Sequence, residues 1–131
     1  PALNAYRNEF KPSDAMSEPY AILGVAVVTS ESEERAEMLA RAHDLMWLRI
    51  RRNEKGLLTT AEEAAAYEFT PEEQEAARAS RRMLVWGTPE TVKARLDELV
   101  EQLQVNELIV TSHIADHQER LASYRLLAEA F

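Results

Sequence analysis

The run from Tyr20 to Val28, YAILGVAVV, is almost wholly apolar and rich in valine, with Pro19 before it and Ser30 soon after it. A run this short and this apolar fits a strand buried on both faces. Such strands belong mostly to parallel sheets, because crossover helices cover both sides. Alternation puts Leu23, Val25 and Val27 on one face and Ile22, Gly24, Ala26 and Val28 on the other. The second set is the smaller, which predicts a close approach of something to that face. Leu108 to Thr111 is a second strand candidate, and the patterns between the two are helical. Two parallel strands joined by helices form one right-handed crossover unit.

The helices are marked by their starts. PALNAYRNEF sets Ala2, Tyr6 and Phe10 at helical spacing and stops at Lys11-Pro12-Ser13, like the last turns of a helix. Ser30 followed by Glu33 predicts a capping box and a helix over about 31–52, with a stripe through Ala36, Leu39, His43, Met46 and Ile50. Thr70-Pro71-Glu72-Glu73 combines cap, first-turn proline and box glutamate for a short helix ending near Met83. Thr88-Pro89-Glu90 opens another, with Val92, Leu96, Leu99, Val100 and Leu103 on one face. A last helix is predicted over about 116–130, with Leu121, Tyr124, Ala128 and Phe131 in line. Between Arg51 and Phe69 the pattern lapses, leaving only a doubtful helical patch of alanine and glutamate. Weakly patterned insertions of this length are usually lids or disordered segments. Residues 53–68 are therefore expected to be the least ordered, with helix and flexible segment both open.

Composition excludes several classes. The 131 residues suit one domain, 1–131. Acidic residues outnumber basic ones by 23 to 15, and the net charge of -8 repels phosphate backbones and anionic membranes, so neither nucleic acid nor a membrane is expected as a partner. The absence of cysteine removes disulfides, thiolate zinc sites and cysteine nucleophiles. No apolar run approaches the roughly 20 residues of a membrane helix, and no basic-then-apolar leader opens the chain, so a cytoplasmic location is expected.

The densest cluster of chemistry-bearing side chains is His113, Asp116 and His117, in NELIVTSHIADHQERLASY. A helical histidine pair at i and i+4 can share a metal ion, with Asp116 as third ligand. That arrangement requires the helix to begin before His113. Asp116 followed by Glu119 reads instead as an N-cap and its box partner, which leaves His113 in the preceding loop and turns His117 toward the core. No metal is expected. The loops leaving the C-terminal ends of parallel strands build the sites of α/β folds. Ser112 and His113 lie in one such loop and Thr29 and Ser30 in the other, so Ser112, His113 and Thr29 are the pocket candidates and His113 the one catalytic candidate. A phosphate site at Thr29-Ser30 is opposed by Glu31, Glu33 and Glu34. His43 reads as a packed imidazole at the edge of its stripe, and Trp47 and Trp86 as packing residues, although each tryptophan suits stacking on a flat ligand. No glycine-rich phosphate loop or nucleophile elbow is present.

Four segments together, YRNEFKPS (6–13), PYAILGVAVVTSESEERAEMLA (19–40), WGTPETVKARLDELV (86–100) and NELIVTSHIADHQERLASYRLLAE (106–129), resemble the C-terminal part of luciferase-like flavin-dependent monooxygenases, the bacterial-luciferase group of TIM barrels. The resemblance implies that 20–28 and 107–112 are the seventh and eighth barrel strands and that about 51–83 is the insertion that lies as a lid over the active site. It also implies reduced FMN as cofactor, oxygen activation on it, a small organic substrate such as an aldehyde, alkane or sulfonate, and a flavin reductase as partner. No flavin contact carries over residue by residue.

A whole barrel needs on the order of 250 residues. The expected fold is therefore α/β and helix-rich, a partial (β/α)8 barrel with about two parallel strands and four to six helices, corresponding to the last two βα units. Such a chain is expected to be inactive alone. Two strands with apolar residues on both faces need cover, so a homo-oligomer, or the missing N-terminal part of the barrel, is the expected partner. The alternative is a non-enzymatic interaction module derived from such an enzyme and forming homo-oligomers.

Overall fold

The computed structural model describes residues 2–56 and 58–131. In chain order the elements are α1 (Ala2–Glu9), β1 (Ile22–Thr29), α2 (Glu33–Arg51), α3 (Ala61–Ala66), α4 (Pro71–Arg81), β2 (Leu84–Gly87), α5 (Pro89–Leu103), β3 (Glu107–Thr111) and α6 (His117–Ala130). The fold is α/β and helix-rich. Its sheet is parallel and three-stranded, in the order β2-β1-β3. The expectation of two strands missed β2, because Leu84–Gly87 is only four residues long and follows a helix without a turn signal.

Register assigns the faces. Leu23 and Val25 of β1 pair with Leu108 and Val110 of β3, and Val27 pairs with Val85 of β2. Of these, Val25, Val27, Val85, Leu108 and Val110 pack with Val92, Leu96 and Leu127 beneath α5 and α6. The opposite face carries Val28, with Leu84 and Ala26, against Leu39 and Ala40 of α2, Ala61 of α3 and Ile114. Val27 and Val28 are each 1% exposed, and burial of that degree stabilises by about 1.5–3 kcal/mol per side chain. Cover on the second face stops at the C-terminal half of the sheet. Ile22 and Ile109 remain 49% and 53% exposed, and a Cβ built on Gly24 would meet nothing within 4 Å. The close approach expected at the smaller face is made at Ala26 and Val28 and, among the described residues, is absent at Gly24.

Three predicted starts are realised. Thr70 caps α4 in a reciprocal box with Glu73, Thr88 caps α5 and Asp116 caps α6. At α2 the cap is Ser32, whose side chain accepts from the Arg35 N–H, rather than Ser30. The Ser30 N–H is taken by the Gly87 carbonyl where β1 meets β2. The buried side of α6 is also shifted. Ser123 and Leu127 face inward, while Leu121, Tyr124 and Phe131 of the expected stripe are exposed.

The segment 51–83 is built on α2. Thr60 and Glu63 form a capping box that starts α3, Ala61 and Ala64 are buried, and the Arg41 guanidinium donates to the carbonyls of Ala64 and Tyr67 at 2.8 Å each. Glu73 receives both the Arg52 guanidinium and the Tyr67 hydroxyl. Arg81, at the end of α4, joins Asp44 and Glu37 of α2 and lies over the Trp86 ring, 5.0 Å from its centroid. Where the sequence left 53–68 open, Ala61–Ala66 is helical.

Candidate functional site

The strand ends expected to form the pocket divide between two layers. Thr29, 2% exposed, continues the alternation of Val25 and Val27 toward α6, and its N–H donates to Ser123 Oγ at 2.9 Å. The Ser112 N–H donates to Tyr124 Oη at 3.0 Å. Both residues are thus moored to α6. His113 goes the other way, with its ring centroid 6.0 Å from that of His43 on α2. The next residue, Ile114, is buried in the cluster beneath α2.

His43 is 3% exposed, as its stripe position predicts. Its Nε2 accepts the indole N–H of Trp47 at 2.9 Å. The two residues are four apart on α2, the spacing at which helical side chains meet. Burial, with the charges of His113 and Arg81 adding to it, lowers the His43 pKa to about 4. The imidazole is therefore neutral at physiological pH. The approach of His43 to His113 was not legible in the sequence, since their separation of seventy positions carries no local signal; the His43–Trp47 spacing was.

Four buried polar atoms lack a hydrogen-bond partner among the described residues, namely Thr29 Oγ1, His43 Nδ1, Ser112 Oγ and His113 Nδ1. Buried polar groups are nearly always paired, and exceptions concentrate at functional sites. Three of these atoms belong to the pocket candidates chosen from the sequence, and the fourth to their new neighbour.

A cavity of about 780 Å³ opens between α2, α3 and the loop after β3, lined in part by Arg35, Thr59, Glu62, Ile114, Asp116 and Glu119. Its guanidinium is engaged. Arg35 donates from Nε and NH2 to the two oxygens of Glu119 at 2.6 and 2.9 Å, and lies 3.4 Å from Glu62. Glu119 was expected to close a box on Asp116. Its N–H does donate to the Asp116 carboxylate at 2.7 Å, but its own carboxylate has gone to Arg35, the stronger, charged partner. A second cavity, of about 530 Å³, includes Thr29, Ser30, Glu31, Arg125 and Glu129 in its wall. Carboxylates outnumber free cations in both walls, which opposes a phosphate.

His117 was expected to face the core and is exposed instead, with Nδ1 3.0 Å from an Arg120 guanidinium nitrogen. As the first residue of α6, it sits on the turn that faces solvent. Among the described residues, no group of three or more histidine or carboxylate side chains is placed to hold a metal ion. Among the described residues, no helix is long and apolar enough to cross a membrane.

Comparison with known proteins gives this geometry a context. The chain is 33% identical over its full length to the uncharacterized protein YvbT of Bacillus subtilis, and 30% identical over 95% of its length to a luciferase-like monooxygenase of Escherichia coli K12. The chain resembles luciferase-like monooxygenases. It superimposes over 98% of its length on the crystal structure of apo-MsnO8, with a TM-score of 0.82 and 31% identity. It spans 39% of YvbT, 37% of the E. coli protein and 40% of the MsnO8 chain, so the fold described here corresponds to part of a larger domain. No protein-family profile matches it.

Proposed function

We propose that this chain is a C-terminal portion of a luciferase-like, FMN-dependent monooxygenase acting on a small organic substrate, and that alone it has no activity. The carrying observation is the 30% identity, over 95% of the chain, to the E. coli luciferase-like monooxygenase. On this reading β1 and β3 are the last two barrel strands, and the sheet face of Gly24, Ile109 and Thr111 is a stretch of barrel interior. The segment 51–83 is then the cover over the strand ends, which accords with Ala61 of α3 packing against Val28, Leu84 and Ile114.

The cavities beside the strand ends do not fit the phosphate of FMN. The walls of the two cavities beside the strand ends are acidic, and the one guanidinium in the larger of them is paired with Glu119. Phosphate binding is therefore assigned to the part of the barrel outside this chain, and the residues here supply wall. Among them His113 stands at a strand end, partly exposed, as a hydrogen-bonding group.

The test is reconstitution. The chain alone, incubated with FMN and desalted, is expected to leave the flavin fluorescence unquenched and to keep no yellow colour. Co-expressed with the remaining segment of the E. coli relative, it is expected to form a complex that retains FMN and, with a flavin reductase and NADH, consumes oxygen beyond the reductase alone. A stable complex that retains no flavin would refute the assignment.

A second reading has an observation of its own. Ile22 and Ile109 lie half-exposed on one sheet face, and such a face suits an interaction module that pairs with a second copy of the chain and binds no flavin. Retention of FMN by the reconstituted complex would remove it.

A further inference from the structure

The two orphaned imidazole nitrogens constrain each other. His43 Nε2 accepts from Trp47, and an imidazole nitrogen that accepts carries no proton. The single proton of a neutral His43 is therefore on Nδ1. That Nδ1 is buried without a partner among the described residues, a state that costs about 1–3 kcal/mol. His113 Nδ1 is also buried and unpartnered, and its ring is the neighbouring imidazole, with centroids 6.0 Å apart and planes inclined at 47°. One proton donor without an acceptor thus lies beside one nitrogen able to accept.

We propose that Trp47, His43 and His113 form a directional hydrogen-bond chain, with the indole N–H donating to His43 Nε2 and His43 Nδ1–H donating to His113 Nδ1. With the centroids 6.0 Å apart, the second contact reaches hydrogen-bond length, about 3 Å, when the His113 ring moves roughly 1 Å toward His43, a shift of the loop after β3 that leaves the Trp47 contact on α2 in place. The consequence falls on the last member. With Nδ1 accepting, His113 must carry its proton on Nε2, so it acts as an N–H donor toward whatever lies at the strand end. The group suited to it is a neutral acceptor oxygen, a carbonyl or hydroxyl of a small molecule, because the N–H of a neutral imidazole brings no positive charge with which to hold an anion. His43 and Trp47 are positioning residues in this arrangement, in the way that a second group fixes the tautomer of a working histidine.

This inference deepens the proposed function by naming what His113 does in that wall, but the chain of donors stands without any flavin. Its test uses the full chain, flavin-free, labelled with 15N-histidine, with tautomers read from long-range proton–nitrogen spectra at pH 7. His43 is expected as the Nδ1–H form and His113 as the Nε2–H form, each as a single tautomer. Trp47→Phe keeps an aromatic ring at a partly exposed position and is expected to convert both histidines to tautomer mixtures. His43→Asn, whose amide can donate, is expected to hold His113 in the Nε2–H form, whereas His43→Phe is not. A merely structural role would lower the melting temperature of these variants without moving a tautomer.

Titration with cyclohexanone as a neutral carbonyl probe is expected to shift the His113 Nε2 resonance in the parent chain, and less in Trp47→Phe. A parent His113 protonated on Nδ1, or both histidines unchanged in Trp47→Phe, overturns the chain of donors; absence of a probe shift overturns the donor role toward a ligand. Failure of the flavin reconstitution leaves each of these readouts intact, so the two proposals fail separately.

Discussion

Trp47 donates its indole N–H to Nε2 of His43 across one turn of α2, so that nitrogen of the buried ring accepts and carries no proton. The groups around the ring are His113 from the loop after β3, Arg81 from α4, and Asp44 beside it on α2, whose carboxylate Arg81 binds. Burial, then His113 and Arg81, keeps the His43 pKa at about 4 against the ordinary 6.5.

A definite pH dependence follows. Between pH 6.5 and about 4 the unfolded chain protonates His43 and the folded chain resists it, so the unfolded state binds more protons and stability falls as pH falls. The contribution is complete above pH 6.5 and is lost progressively toward pH 4, to the extent of about 3 kcal/mol. Urea unfolding midpoints measured across this window are expected to decline in the parent chain and to decline less in His43→Gln. Equal slopes in the two would refute the assignment to His43.

The Arg81 bridge is expected to be the strongest single tie between α4 and α2. Its guanidinium meets Asp44 at 2.8 Å and Glu37 at 2.8 Å, and the Asp44 side chain is only 6% exposed. Burial already pushes the Asp44 carboxyl above its ordinary range against the opposing pull of Arg81. Removing the cation leaves a buried carboxylate without its partner, which costs about 3 kcal/mol or more. Arg81→Leu should lose roughly that amount in chemical denaturation, and adding Asp44→Asn should recover part of it. A double variant no more stable than Arg81→Leu would show that the loss comes from the Trp86 contact instead.

What the sequence disclosed depends on the range of the interactions. Caps at Thr70, Thr88 and Asp116 were legible because a cap is complete within four residues, and Val27 and Val28 because a strand buried on two faces writes an unbroken apolar run. β2 was not, since Leu84–Gly87 is held by pairing with β1 rather than by any signal of its own. Ser30 lost the cap of α2 because the Gly87 carbonyl, distant in sequence, claims its N–H. The same reason separates the pocket candidates. Alternation placed Thr29 toward α6, while the turn after Thr111 sent His113 across to α2, and only the assembled fold reveals which neighbours each strand end meets. The lateral shift of the buried side of α6 was hidden by its alanines and leucines, which surround the helix almost evenly.

Gly87 is the residue that lets β2 pass into α5. Its φ of +140° is a conformation that side-chain-bearing residues rarely adopt, and a Cβ there would lie 3.0 Å from Thr91 Cγ2 and 3.1 Å from Thr91 Cβ. Gly87→Ala is therefore strained in its backbone and crowded against the first turn of α5, at a cost of about 1–3 kcal/mol. The expected result is a lowered melting temperature, with part of the loss recovered by Thr91→Ser, which removes the crowding methyl. Thermal unfolding of Gly87→Ala at the parent temperature would show that the turn relaxes freely.

The uncovered half of the sheet predicts the behaviour of the isolated chain. Ile22 and Ile109, on one face with Gly24 and Thr111, are half-exposed although their strands pair normally, and a Cβ built on Gly24 would meet nothing within 4 Å among the described residues. Exposed apolar side chains such as these favour association in water at about 25 cal/mol per Å² buried, offset by the freedom lost on binding. The chain is expected to self-associate at micromolar concentration in sedimentation velocity. Ile109→Asp, which places a charge in the middle of the face without touching the buried clusters, is expected to leave a folded monomer. Reconstitution with the remainder of a barrel should also abolish self-association, since both partners compete for the same face. A parent chain that sediments as a strict monomer would exclude this face as a contact between copies and leave the barrel interior as its assignment.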